Sequence, residues 1–290
     1  LIIESPSLQQ HYSFWLLVSA AVWQGELALR QGDVMEFTKE RLIDSVLQRD
    51  FQIEVNAETV PCVLWAPEDA QKPRPLLLMG HGGSQHKKTQ GIRQRAIYYA
   101  MQAGWATLAI DAPGHGDRIS REAAEQMARE VGARVTGQSS GGFDKARLKA
   151  MARRTEQAVP EWQAALETVQ QLDYIGAEGP VGYWGVSMGT AIGVPFVAAE
   201  SRIKCAVFGL AGLRPGAVAM AEAAAAIDIP IEFVFQWEDA VAPREHGIEL
   251  FNTFGSQQKT MHINPGGHMD IPSWEAGSWF NFYQRHLHNP

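Results

Sequence analysis

"GPVGYWGVSMGTAIGVP", residues 179–195, sets one serine between two glycines inside an otherwise apolar run. Its first part, VGYWGV, reads as a short buried strand, and MGTAIGVPFVAAE reads as a helix. Ser187 therefore falls on a strand-to-helix bend. A serine there is either a turn former or a nucleophile held on a strained backbone. The helix start behind it supplies free N–H groups and the positive end of a dipole, both suited to a developing oxyanion.

Working outward, the same kind of run recurs. RPLLLMGHGG, WATLAIDAPGHG, IKCAVFGLAG, IPIEFVFQWED and QKTMHINPGGH are short apolar runs that carry Gly, Asp or Pro at their ends. Such runs suit strands covered on both faces. Helical patterns separate them over about 89–103, 158–173, 188–200, 217–227, 244–254 and 273–287. The expected fold is α/β, a mostly parallel doubly wound sheet flanked by helices. Upstream, FQIEVNA and VPCVLWAP alternate like half-buried strands and predict an antiparallel edge. Two helices are expected before them, at about 11–30 and 34–48, giving an N-terminal helical extension over 1–49 packed on a body spanning 50–290. Residues 118–157 break the rhythm with two charge-rich helical stretches around TGQSSGGFD. They read as a lid insertion or as a solvated surface excursion.

The composition bounds the partners. A net charge of −7 and 46% hydrophobic content over 290 residues describe an ordinary globular chain and argue against nucleic acid or an anionic membrane. FWLLVSAAVW (14–23) is too short to span a bilayer, so no stable membrane insertion is expected. Its flanks lack the basic region and cleavage site of a leader, and a cytoplasmic location is expected, with export left open by a chain that begins at Leu1. Cys62 and Cys205 lie in apolar runs and read as buried thiols. A homo-oligomer remains open.

A serine hydroxyl needs a base. His268 closes HINPGGH, directly after the last strand-like run. His262 alternates within that run and reads as a packed strand residue, while His81 and His115 sit in glycine loops whose backbone they would orient. The base in turn needs a carboxylate to fix its tautomer. VFQWEDAVAP ends a strong strand in two acids; Asp239 is the candidate, with Glu238 the alternative one residue away. MGHGGSQHKK offers a backbone free of bulky side chains after another strand. The oxyanion donors expected are the N–H groups of Met188 and Gly83, with Ser84 the alternative to Gly83. Nucleophile, base and acid are then complete, and no cofactor or metal is implied.

In order along the chain, HGGS, DAPGHGDR, GVSMG, WEDAVAP and GGH resemble the motif set of the α/β-hydrolase superfamily over about residues 50–290. DAPGHGDR resembles the esterases that look like dienelactone hydrolases and acyl peptidases. Dienelactone hydrolases carry cysteine at the elbow, whereas this chain has Ser187, which favours a serine esterase. The resemblance implies hydrolysis of a small-molecule carboxylic ester through an acyl-enzyme on Ser187, His268 and Asp239. The same residues serve other acyl bonds (lactone, thioester, amide or carbon–carbon), and the fold also serves inactive binding proteins.

Overall fold

The computed structural model describes residues 35–138 and 145–287. The expected helix at 11–30 lies outside them. Nine strands form one sheet in the order β1-β2-β3-β5-β4-β6-β7-β8-β9. They are β1 (Phe37–Ile43), β2 (Val46–Val55), β3 (Glu58–Pro67), β4 (Leu76–Gly80), β5 (Ala106–Ile110), β6 (Val181–Val186), β7 (Ile203–Gly209), β8 (Ile231–Gln236) and β9 (Lys259–Asn264). Strands β4 to β9 run parallel, and β1, β2 and β3 form an antiparallel edge that joins β5.

The helices are α1 (Gln90–Ala103), α2 (Arg121–Val135), α3 (Lys145–Gln170), α4 (Met188–Ala199), α5 (Val218–Ala226), α6 (Arg244–Thr253) and α7 (Glu275–His286). Alternation along the strands divides the core into two layers. Leu76, Leu78, Tyr183, Phe208 and Phe233 point to one face with Trp162 and Phe196. Leu77, Met79, Trp184, Cys205 and Val207 point to the other with Tyr99, Trp105 and Trp279. Both cysteines are buried free thiols.

Two expectations are corrected. The helix expected at 34–48 is instead a hairpin, so the proposed boundary at residue 49 falls inside β2. Ile43 pairs with Val46 around Asp44 and Ser45, whose φ angles of 49° and 63° make the two-residue turn that matches strand twist. Glu40 lies opposite Arg49 in this register, and the two form a buried ion pair. Second, the expected helices around 145–157 and 158–173 are one continuous element, α3, with Pro160 inside it.

The sheet order reverses at β4. The chain leaves β4 toward β5 on one side, and leaves β6 toward β7 on the other. The C-terminal ends of β4 and β6 therefore flank the crevice where open α/β sheets bind ligands. Gly80 and Gly185 are paired across it. Ser187 and Gly83 follow within three residues of that pair.

Candidate active site

Ser187 stands between β6 and α4 with φ 58° and ψ −116°, a conformation that strains any residue with a Cβ. Its N–H donates to Gly209 O at 2.8 Å, so the neighbouring strand holds the bend. Close approach on both sides needs glycine. A Cβ on Gly189 would lie 2.6 Å from Gly80 O, and one on Gly185 would lie 2.8 Å from the Gly189 backbone. Thr190 adds a buried pin, its Oγ1 accepting from Gly209 N at 2.8 Å.

The bend aims Ser187 Oγ at His268 Nε2, 2.9 Å away. His268 Nδ1 lies 2.7 Å from Asp239 Oδ2. The other oxygen, Oδ1, accepts from Val241 N and Ala242 N at 2.8 Å each. Asp239 and His268 are only 5% and 6% exposed, which shields the pair from water. Glu238 faces elsewhere: its carboxylate accepts from Gly266 N in the loop that carries His268. The structure thus brings Ser187, His268 and Asp239 together and gives Glu238 a backbone contact.

Among the described residues, neither Met188 N–H nor Gly83 N–H donates to another group. The Gly82 N–H is taken by Gln85 Oε1 at 3.1 Å. Ser84, the alternative to Gly83, has φ 59°. Ser84, His86, His115, Asp117 and Met127 line a cleft of about 180 Å³ beside this turn.

Neither family models nor curated protein sequences match the chain, but solved structures do. A PEG-bound cold-adapted esterase from an Arctic intertidal metagenomic library is 33% identical over 88% of this chain and 100% of its own, with a TM-score of 0.70. The chain belongs to the α/β-hydrolase esterases. More distant structures share the fold. Dienelactone hydrolase from Anabaena variabilis is 17% identical (TM-score 0.58; 84% of this chain, 100% of that one). Acylaminoacyl peptidase from Pyrococcus horikoshii is 11% identical (TM-score 0.63; 84% of this chain, 42% of that one). The protein is a carboxylic ester hydrolase.

Several residues that position the esterase's site carried no sequence signal of that role. Lys87, buried beside the Gly83 turn, donates to Asp111 Oδ2 at 2.6 Å and also binds Asp117. Burial opposes its charge, yet the Asp111 and Asp117 carboxylates hold the ammonium above its ordinary value. Lys87 thereby ties HGGSQHKK to DAPGHGDR. Asp111 and Arg118 do not pair through their side chains; Arg118 forks onto Glu161 of α3 at 2.7 and 2.9 Å. Gln236, fully buried at the end of β8, donates to Pro265 O at 3.2 Å and Asp270 O at 2.8 Å, bracing the His268 loop on both sides. Only the folded chain reveals these partners.

His81 and His115 take the backbone roles expected of them. Ala112 N donates to His81 Nε2 at 3.0 Å, and the His115 ring meets Pro113 O at 3.1 Å. Burial pushes His81 down to about 4 and lowers His115 as well. The insertion reaches the site: Arg154 donates to Pro113 O at 3.2 Å and approaches the Met188 sulfur at 3.9 Å. Helix α2 holds no buried residue, yet Val131 would meet a Cβ on Gly83 at 3.9 Å. No helix among the described residues is long and apolar enough to cross a membrane.

Proposed function

We propose that the protein is a serine esterase working through an acyl-enzyme, with Ser187 as nucleophile, His268 as general base and acid, and Asp239 as the orienting carboxylate. The observation that carries this reading is the contiguous set of contacts from Asp239 through His268 to the strained Ser187. Asp239 accepts a hydrogen bond from His268 Nδ1–H, which leaves Nε2 unprotonated and free to take the proton of Ser187 as its oxygen attacks the ester carbonyl. The tetrahedral oxyanion is met by the N–H groups of Met188 and Gly83. His268 then returns the proton to the leaving alcohol. Water, deprotonated by the same nitrogen, attacks the acyl-enzyme and releases the acid and Ser187.

Helix α2 lines the cleft beside the Gly83 turn with Ala124 and Met127, and α3 brings Arg154 to the Met188 sulfur, so both act as a cover over the site. The test is hydrolysis of p-nitrophenyl acetate, butyrate, octanoate and laurate by wild type and Ser187→Ala. The chain-length profile sizes the acyl pocket, and the variant is expected to lose several orders of magnitude in kcat while staying folded. Wild-type turnover in Ser187→Ala would overturn the assignment.

A further inference from the structure

A second group of ionisable side chains lies away from Ser187. Glu232 on β8, His262 on β9 and Glu275 at the first position of α7 each bring a ligand atom within 4.8 Å of the other two. His262 pairs with Val234 in the sheet, two residues from Glu232, so both side chains share one face. His262 Nδ1 stands 2.9 Å from a Glu275 oxygen and 3.8 Å from Glu232 Oε1. Asn264 Nδ2 donates to the other Glu275 oxygen at 2.8 Å. The Glu232 and Glu275 side chains are 2% and 3% exposed.

Existing partners do not satisfy this cluster. Ser278 hydrogen-bonds the Glu232 carboxylate and Arg285 acts on it electrostatically, but Oε1 has no hydrogen-bond partner among the described residues. An orphaned carboxylate oxygen in so dry a place is costly. It points toward His262, whose side chain is 32% exposed and opens the cluster to solvent.

The geometry fits an ion. Metal–ligand bonds of about 2.1 Å at tetrahedral angles place ligand atoms about 3.4 Å apart. The observed 2.9 and 3.8 Å straddle that spacing. One imidazole and two carboxylates suit zinc and its first-row neighbours, whereas calcium asks for six to eight oxygens. Asn264 supplies the outer hydrogen bond that orients a ligating carboxylate.

We infer that Glu232, His262 and Glu275 form a binding site for a divalent transition-metal ion of the zinc class, with water completing the coordination on the side of His262. Asn264 and Glu275 bracket residues 265–274, the loop that carries His268. The ion closes the neck of that loop and ties β8, β9 and α7 together. It takes no part in acyl transfer, and the inference stands independently of the ester-hydrolysis mechanism.

The test starts from protein stripped with EDTA and dialysed, titrated with zinc chloride by calorimetry and followed by thermal melting. One ion per chain is expected, with Tm raised by about 5 °C or more at a hundredfold excess over Kd. Glu232→Gln and His262→Ala are expected to abolish both effects, while His268→Ala retains them. Binding lost only in His268→Ala would put the ion at the triad and overturn the inference, as would unchanged affinity in folded Glu232→Gln and His262→Ala. Should those two variants fail to fold, zinc titration of the wild-type His262 ring resonances decides: a saturable change at one equivalent supports the site, and no change overturns it.

Discussion

Replacing Asp239 by Asn tests how the acid works, because the structure dictates which way the amide must face. Oδ1 accepts from two backbone N–H groups, Val241 and Ala242, at 2.8 Å each. An amide nitrogen placed there would oppose two donors and forfeit two hydrogen bonds, at about 1 kcal/mol or more apiece. The amide oxygen therefore stays on the Val241–Ala242 turn and the NH2 group faces His268 Nδ1. A donor at that point makes Nδ1 the acceptor and moves the imidazole proton to Nε2. Nε2 then cannot take the Ser187 proton. In a Ser-His-Asp triad the wrong tautomer costs about 10⁴-fold in kcat, or about 5.5 kcal/mol of transition-state stabilisation. The assay is the initial rate on p-nitrophenyl acetate, with melting curves to show that the fold is kept. Glu238→Gln, whose native contact is the Gly266 backbone, is expected to stay within about tenfold of wild type. Near-wild-type activity in Asp239→Asn, together with collapse in Glu238→Gln, would reverse the assignment of the two acids.

Other consequences follow from strain, charge and burial. Ser187→Gly removes the penalty of φ 58°; it is expected to gain about 1 kcal/mol, read as a Tm rise of about 2–4 °C, while turnover is lost. Glu161→Gln leaves the Arg118 guanidinium, 7% exposed, without its buried anionic partner. A loss of about 3 kcal/mol in urea unfolding is expected, and an unchanged midpoint would show the fork to be dispensable. Acid is expected to destabilise the esterase through His81, which burial pushes from 6.5 down to about 4. Between those values the unfolded chain binds the extra proton, so this contribution is complete above about pH 6.5 and is lost as pH falls toward 4. Its size is on the order of 3 kcal/mol, and His115, also lowered by burial, adds with the same sign. Urea midpoints at pH 7.5 and 4.5 check it, with His81→Gln expected to give the flatter dependence.

The parallel half of the sheet was legible because a strand covered on both faces must be continuously apolar, and its ends must turn. The runs around Met79, Ile110, Val186 and Val234 carry that signature, and, apart from α3, which runs on through Pro160, the helices that follow them appear within a few residues of expectation. The stretch from Phe37 to Asp50 was not legible as strand. Ile43, Val46 and Leu47 have helical spacing, and the hairpin is set instead by two left-handed residues, Asp44 and Ser45, and by the Glu40–Arg49 pair. Neither is a strong turn former of the Asn-Gly type. Ser187 and His268 stood out because each follows a strand at a glycine-rich bend. Lys87, Gln236 and Glu161 did not, since their partners lie 24 to 43 residues away.

The two adjacent acids show what such a reading can and cannot resolve. Both Glu238 and Asp239 stand at the end of β8, and a shift of one residue in the loop would exchange them. The shift is prevented by chemistry local to the loop. A carboxylate one methylene from its backbone can fold onto the N–H groups two and three residues ahead, and Asp239 does so on Val241 and Ala242. The longer Glu238 side chain reaches across to Gly266 instead. With Gln236 on the carbonyls of Pro265 and Asp270, three residues within four positions grip the His268 loop at different points. A helix-capping style turn at Asp239 thus does two jobs at once. It fixes the register of the acid loop, and it leaves only one carboxylate oxygen free to meet the imidazole. Aspartate suits position 239 for a geometric reason: the longer Glu side chain in its place would overshoot the turn, release the loop and misalign His268 even with its charge retained.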